Sequence, residues 1–211
     1  MKLALCLFGE PRFIQNEIAS TLYKEFITSK YDTDIYGHTW IANSYQPSSW
    51  SKHPTVPGAG DIKNRIEGQY PGIKLVTEES RVFDSEHRDR NNMISQIYSI
   101  NVVADLLINP DQYKFILFGR YDLLLARFQP VDKLEEGYYG TDRHSSLADQ
   151  LIFASPKYLP AFKMYESILK EEKLREPIFS IEQFKLNYFN NMFPGIAISK
   201  HDFLVSLIRN L

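Results

Sequence analysis

The feature that most constrains this chain is a polar break between two apolar runs. Phe115–Phe118 is continuous apolar sequence, typical of a strand covered on both faces, and Leu123–Leu125 resumes it. The break itself, Gly119–Asp122, holds a cation and a carboxylate. Charged side chains are seldom buried unless paired or bound, so we expect Arg120 and Asp122 to face a cleft where an open sheet binds ligands. An ordinary ion pair at a strand end is the alternative.

The chain begins with a similar arrangement. Lys2–Phe8 predicts a buried strand, a Gly-Glu-Pro turn ends it, and we expect a helix from about Arg12 to Thr28. A strand, a glycine turn and a helix open many nucleotide-binding units. Phe8, Gly9 and Arg12 are therefore candidate nucleotide contacts near the free N–H groups of the helix. One glycine cannot form a phosphate-binding loop, and an ordinary turn explains the pattern equally well.

A second strand, predicted over Asp32–Trp40, places His38 and Trp40 at its carboxyl end. An isolated histidine at such a position is more often a structural residue than a ligand, so both interpretations stay open. Residues 43–60 contain serine, proline and glycine with little periodicity. This composition predicts a long loop of the kind that covers or binds a ligand.

Apolar spacing predicts the remaining elements. The most regular helix is expected over Asn92–Leu107. Asp149 and Gln150 follow a polar loop and precede another apolar strand, and Glu182 lies in a helix expected over Ile181–Phe189. The other expected elements are a helix at Asp61–Gln69, a strand at Ile73–Val76, a helix from Pro156 to about Lys173, a strand at Gly195–Ser199 and a terminal amphipathic helix at His201–Leu211.

Composition narrows the possible partners. With 211 residues, 44% of them hydrophobic, the chain suits a single domain over residues 1–211, which is either a whole protein or one domain of a longer parent. A formal net charge of −2 provides no basic field for nucleic acid or anionic membrane. The single cysteine, Cys6, allows no disulfide framework, and no apolar run suits a signal or membrane span, so we expect a cytoplasmic protein. The sequence leaves the oligomeric state open.

Several of these segments, taken in order, resemble glycosyltransferases of the GT-A fold. Within that fold, the chain resembles small bacterial capsule or lipopolysaccharide transferases and glycosyltransferase domains of large algal (chlorella) viruses. The order and spacing of the segments carry the resemblance over most of the chain. The matching segments are Gly-Glu-Pro-Arg at 9–12, His-Thr-Trp at 38–40, Ser-Gln-Ile-Tyr-Ser-Ile at 95–100, Arg-Tyr-Asp at 120–122 and Asp-Gln at 149–150.

The resemblance implies a single α/β domain, GT-A-like (Rossmann-like), with a central mixed, mostly parallel sheet flanked by helices. In that family an Asp-x-Asp motif holds Mn²⁺ or Mg²⁺ against the diphosphate of a nucleotide sugar. Here Asp122 matches the second carboxylate and is the expected metal ligand, whereas Arg120 replaces the first. Arg120 and Tyr121 are expected to bind the nucleotide. Arg120 is also able to neutralise the diphosphate directly with its planar donor fork.

The resemblance further implies transfer of a hexosyl or deoxyhexosyl group from a UDP-sugar to a glycan or glycoprotein acceptor. Asp149 is the expected general base, or the group that orients the sugar in a retaining enzyme, although a capping role explains it as well. Arg120 would offset charge on the leaving group. His38, Trp40 and Glu182 are the expected sugar and acceptor contacts.

Two alternative functions remain open. One is a nucleotidyltransferase that makes sugar nucleotides, which the missing glycine-rich opening disfavours. The other is a non-catalytic module that binds a nucleotide or carbohydrate, because a fold alone does not establish an activity.

Overall fold

The computed structural model describes most of the chain. The described residues are 1–11, 14, 17–41, 59–84, 88–128, 130–141, 151–170, 181–201 and 203–207. Side-chain positions are described for fewer residues near the edges of these ranges, including the last two strands.

Two sheets contain all the strands in the described residues. The strands are β1 (Lys2–Phe8), β2 (Asp32–Ile41), β3 (Lys74–Glu79), β4 (Phe115–Arg120), β5 (Leu123–Phe128), β6 (Tyr138–Thr141), β7 (Leu151–Ala154), β8 (Ile198–His201) and β9 (Phe203–Leu207). Seven strands form the central sheet in the order β3-β2-β1-β4-β7-β6-β8, in which β7 alone runs against the others. The pair β5 and β9 forms a second, antiparallel sheet.

Helices cover both faces of the central sheet. They are α1 (Ile18–Tyr23), continued by a π-helical turn at Lys24–Thr28, then α2 (Ala59–Gln69), α3 (Arg88–Asp105), α4 (Tyr165–Leu169) and α5 (Ile181–Met192), with 3-10 turns at Pro110–Gln112 and Pro156–Phe162. None of the described helices has the length and apolar character needed to cross a membrane.

Strand β1 shows why the sheet needs cover on both sides. Leu3, Leu5 and Leu7 point into a core shared with α1, α2 and β5, which we call the α2 face. The alternate residues of β1, among them Cys6 and Phe8, point into a core shared with α3 and α5, which we call the α3 face. Nearly continuous burial explains the continuous apolar sequence of the strand.

Most predicted elements are confirmed. The first two strands, the two apolar runs around the polar break, and the helices expected at 61–69, 92–107 and 181–189 all occur, with bounds that differ by a few residues. The expected mixed, mostly parallel sheet with helices on both faces is also confirmed.

Three expected helices need correction. The terminal helix predicted from His201 is wrong, because Phe203–Leu207 is instead a strand that pairs with β5. The single helix predicted from Pro156 is a 3-10 turn followed by the separate α4. Among the described residues near the chain start, helical structure begins at Ile18, later than the expected Arg12.

Candidate functional site at the carboxyl edge of the sheet

The parallel strands β1 to β4 end along one edge of the sheet, which we call the carboxyl edge. Phe8, the last residue of β1, pairs with Arg120, the last residue of β4. On the other side of β1, the end of β2 carries His38 and Trp40, and Trp40 pairs with Glu78 of β3. Three of the segments singled out in the sequence therefore meet at the edge where open α/β sheets bind ligands.

Arg120 and Asp122 form a bidentate ion pair across the polar break. The Arg120 Nε and Nη2 groups donate hydrogen bonds of 2.8 Å to Asp122 Oδ1 and Oδ2, respectively. The Asp122 residue is 1% exposed, whereas the Arg120 side chain is 19% exposed. Such a two-bond geometry fixes the orientation of the guanidinium plane as well as its position. The charges of the polar break are thus paired with each other, with the cation on the outer side.

The backbone at Arg120 is held from the α2 face of the sheet. The buried Tyr23 Oη of α1 donates a hydrogen bond of 3.0 Å to the carbonyl oxygen of Arg120. Gly119 makes this approach possible, because a Cβ atom at that position would lie 2.3 Å from Tyr23 Oη. The glycine in the polar break therefore admits the tyrosine that anchors the strand end.

The turn after β1 is clamped from two sides. Gly9 has a φ of 93°, a conformation that other residues rarely adopt. Its N–H donates a hydrogen bond of 3.0 Å to Ser99 Oγ of α3, and its carbonyl accepts one of 3.0 Å from Thr39 Oγ1 of β2. The backbone beside Arg120 is consequently fixed by helix α3 and strand β2.

His38 continues this network as a neutral group. Because Ser99 Oγ accepts the Gly9 N–H, its own proton is available for His38 Nδ1, 2.7 Å away. This assigns the remaining ring proton to Nε2, which faces Glu78 Oε1 at 3.6 Å, too far for a hydrogen bond. Burial lowers the pKa of His38 to about 4, although Glu78 acts in the opposite direction. The structural interpretation of His38 thus has direct support from its contacts.

An aromatic wall stands beside His38 on the α3 face, formed by Trp40, Phe83, Tyr98 and Tyr165. Trp40 stacks on Tyr98 with ring centroids 5.3 Å apart, and Tyr165 meets Tyr98 edge to face at 4.9 Å. The Arg81 guanidinium lies 5.0 Å from the centre of the Tyr98 ring. Within the described part of the chain, the buried Nε1 of Trp40 and Nε2 of His38 have no hydrogen-bond partner.

Tyr121 and Phe8 occupy the core rather than the edge. The Tyr121 ring is 2% exposed, lies on the α2 face and meets Tyr70 edge to face at 6.2 Å. The Phe8 side chain is packed on the α3 face. These positions do not suit a nucleotide contact through either side chain, which leaves their backbone atoms for such a role.

A divalent cation does not fit Asp122 in this arrangement. Both carboxylate oxygens already accept N–H groups from Arg120, and a cation there would lie beside a guanidinium. Among the described residues, no three carboxylate, histidine or cysteine side chains group together as metal ligands. Mn²⁺ and Mg²⁺ require oxygen ligands, so the donor set around Asp122 is unsuited to them.

Three predicted site residues receive no structural description. Arg12 and Asp149 lie outside the described residues, and the side chain of Glu182 does so as well, although its backbone belongs to α5. Sequence reasoning missed two residues that hold the backbone of this edge. Tyr23 bonds Arg120, 97 positions away in the chain, and Ser99 bonds Gly9, 90 positions away. Gly119 was the available signal for Tyr23, because a glycine inside a buried strand marks a close approach.

Comparisons with known proteins identify the fold. No protein-family model matches the chain, and no curated protein is significantly similar to it. Among solved structures, the apo-form glycosyltransferase GlyE of Streptococcus pneumoniae TIGR4 matches 95% of this chain and 44% of its own, with 13% identity and a TM-score of 0.50. A second GlyE structure from Streptococcus pneumoniae TIGR4 matches 95% of this chain and 45% of its own, with 12% identity and a TM-score of 0.48.

A third structure is a glycosyltransferase involved in the glycosylation of the major capsid of PBCV-1. It matches 95% of this chain and 81% of its own, with 13% identity and a TM-score of 0.44. The present chain spans less than half the length of the GlyE chains. At these identities the likeness concerns architecture, and the GT-A-like fold expected from the sequence is confirmed: the chain is folded like part of the GlyE glycosyltransferase.

Proposed function

We propose that the chain is a glycosyltransferase that moves a hexosyl or deoxyhexosyl group from a UDP-sugar to a glycan or glycoprotein acceptor. The observation that carries the proposal is the position of the Arg120 guanidinium. It is fixed at the end of β4, directly beside the Phe8–Gly9 turn, on the edge where such sheets bind nucleotides. The fold shared with GlyE agrees with this class of enzyme.

The proposed reaction needs a general base for the acceptor and a cation for the leaving diphosphate. The bond between the sugar C1 and the β-phosphate oxygen breaks, and its electron pair stays on that oxygen. The acceptor hydroxyl oxygen forms the new bond to C1, and its proton passes to a general base, for which Asp149 remains the candidate. Arg120 stabilises the charge that grows on the departing diphosphate.

The aromatic wall is the proposed boundary of the sugar and acceptor site. Three of its rings, Phe83, Tyr98 and Tyr165, are partly exposed and suit the C–H face of a sugar. Trp40 is buried behind them, and its indole N–H has no partner within the described part of the chain. A buried donor without a partner costs free energy, and an ordered water would satisfy it. Glu182 is kept as a secondary acceptor contact, and His38 acts by holding Ser99 and the Gly9 turn.

The test measures the products formed from a panel of UDP-, GDP- and CMP-sugars. The purified chain is incubated with each donor, with and without glycan acceptors, and released nucleotides are separated by chromatography. We expect UDP from a UDP-sugar, and a loss of at least about a hundredfold in the Arg120→Ala variant. The matched control is Arg127→Ala, which removes an exposed arginine of β5.

The possible products separate the alternatives. In a parallel incubation with UTP and a sugar phosphate, release of pyrophosphate would instead identify a nucleotidyltransferase. Binding of UDP-sugars with no turnover for any donor and acceptor would identify a non-catalytic module. Either result would contradict the proposal.

A further inference from the structure

We infer that the Arg120 guanidinium takes the place of the divalent cation, so that the diphosphate binds at the carboxyl edge without a metal. The inference rests on the proposed function and deepens it, because it specifies how the charge of the donor is neutralised. It assigns Asp122 the role of a positioning residue, which acts on the donor through Arg120.

The surroundings of Asp122 disfavour a bound cation. Both of its oxygens are engaged by Arg120 at 2.8 Å, and the carboxylate is almost wholly buried. A cation bound to either oxygen would lie within a few ångströms of the guanidinium, where like charges repel strongly at the low effective dielectric of a protein. Metal binding would therefore require Arg120 to leave the position in which the fold holds it.

The fold holds the Arg120 guanidinium in one position. Two hydrogen bonds to Asp122 fix the guanidinium, and the Tyr23 hydroxyl fixes the backbone carbonyl of the same residue. A long side chain that is ordered before the ligand arrives loses little further entropy on binding. A guanidinium also keeps its charge at every ordinary pH and matches phosphate oxygens with paired N–H donors.

The Arg120 side chain lies beside the turn that follows β1. Arg120 is the β4 partner of Phe8, and the neighbouring Gly9 turn is clamped by Ser99 and Thr39. A diphosphate bound along the carboxyl edge would contact both the backbone of the Gly9 turn and the outer side of the Arg120 guanidinium. Arg120 would thus provide the positive charge that the resemblance to GT-A enzymes assigns to a metal.

The primary experiment measures binding of UDP and of Mn²⁺ to the wild-type chain. Calorimetry should give the same UDP affinity in EDTA and in Mn²⁺. Electron paramagnetic resonance should detect no stoichiometric Mn²⁺ bound to the protein, with or without UDP. Arg120→Ala should weaken UDP binding by about ten- to a hundredfold in both buffers, whereas Arg127→Ala should leave it unchanged.

A charge-reversal variant sharpens the test. Arg120→Asp creates two carboxylates separated by one residue and removes the cation that pairs with Asp122. We expect Mn²⁺ to bind this variant and to raise its melting temperature, while the matched Arg120→Asn variant should show neither response. The thermal and resonance readouts do not depend on turnover.

The outcomes distinguish this inference from the proposed function. Loss of UDP binding in EDTA, or stoichiometric Mn²⁺ on the wild type, would overturn the inference, and UDP release from a UDP-sugar in Mn²⁺ would still support the proposed function. Conversely, metal-independent UDP binding that needs Arg120 would support the inference even if no donor turns over. Should Arg120→Asp fail to fold, the wild-type measurements decide the question alone.

Discussion

The two ends of the central sheet are built differently. At the amino edge, Asp34 accepts hydrogen bonds from Tyr113 at 2.6 Å and from Lys2 at 2.9 Å, and Tyr113 Oη lies 2.7 Å from Tyr36 Oη. Burial acts to raise the pKa of Asp34, but the bonds from Tyr113 and Lys2 outweigh it and leave that pKa lowered. The polar groups at this end therefore satisfy one another.

The carboxyl edge leaves polar groups without partners. The ring nitrogens His38 Nε2 and Trp40 Nε1 are buried without hydrogen bonds in the described part of the chain. A charged pair, Arg120 and Asp122, stands at the same edge with its cation on the outer side. Ligand sites commonly keep such costly arrangements while the rest of the fold provides stability. The polar groups of the amino edge are thus satisfied within the fold, whereas the carboxyl edge keeps those that the proposed function assigns to a ligand.

The largest expected effect comes from breaking the charged pair. Arg120→Ala leaves Asp122 buried and unpaired, so the free energy of unfolding should fall by about 3 kcal/mol in a urea titration. Adding Asp122→Asn should restore part of this stability, because it removes the unpaired charge. UDP binding should stay lost in the double variant. Recovery of UDP binding along with stability would show that Arg120 serves the fold alone.

Acid should lower the free energy of unfolding because it protonates His38. Because burial lowers its pKa to about 4 in the folded chain from an unfolded value near 6.5, the unfolded state binds more protons between these values. The stability contributed by neutral His38 is complete above about pH 6.5 and is lost as the pH falls toward 4. The loss amounts to about 2 to 3 kcal/mol.

The variant His38→Asn should lack this part of the pH dependence. Urea titrations of both proteins from pH 7 to pH 4 give the difference in their free energies of unfolding at each pH. Other titrating groups contribute equally to both proteins, so their effect cancels in this difference. Parallel stability curves for the two proteins would contradict the assignment of a buried neutral histidine.

A smaller effect is expected at the amino edge. Tyr113→Phe removes the hydroxyl that bonds Asp34 and contacts Tyr36, which should lower the free energy of unfolding by about 1 to 2 kcal/mol. UDP affinity should not change, because this network lies at the opposite end of the strands. A parallel loss of UDP affinity would contradict the separation of a structural amino edge from a ligand-binding carboxyl edge.

The smallest effect is expected at Tyr121. Its hydroxyl is buried on the α2 face without a partner among the described residues, and it lies close to Gly37. Tyr121→Phe should leave the free energy of unfolding unchanged or raise it by up to about 1 kcal/mol, with UDP affinity unchanged. A clear decrease in the free energy of unfolding or in UDP affinity would indicate that the Tyr121 hydroxyl makes a stabilising or ligand-binding contact.

The sequence predicted the parts of the fold that local patterns determine. β1 and β4 were predicted because a strand covered on both faces is continuously apolar. The strand at Phe203–Leu207 was mistaken for a helix, because its structure depends on pairing with β5, about 80 residues earlier in the chain. Tertiary pairing of this kind leaves little trace in a short apolar segment.

The sequence indicated where the charged pair lies in the fold, but not which residues its members contact. The charges of Arg120 and Asp122 pointed to a strand end, and the register of β1 and β4 places that end beside Gly9. Their mutual pairing was not predictable, because an Arg-x-Asp sequence fits either a metal ligand or an ion pair. Tyr23 and Ser99 reach the edge from distant segments through long-range contacts that no local pattern records.

A crystal structure of the chain with UDP bound, grown in EDTA, shows whether Arg120 binds the diphosphate without a metal. We expect the diphosphate at the carboxyl edge, within hydrogen-bond distance of the Arg120 guanidinium and beside the Gly9 turn, with the Arg120–Asp122 pair intact. A diphosphate bound elsewhere on the molecule, or one that appears only with Mn²⁺ seated on Asp122, would contradict it.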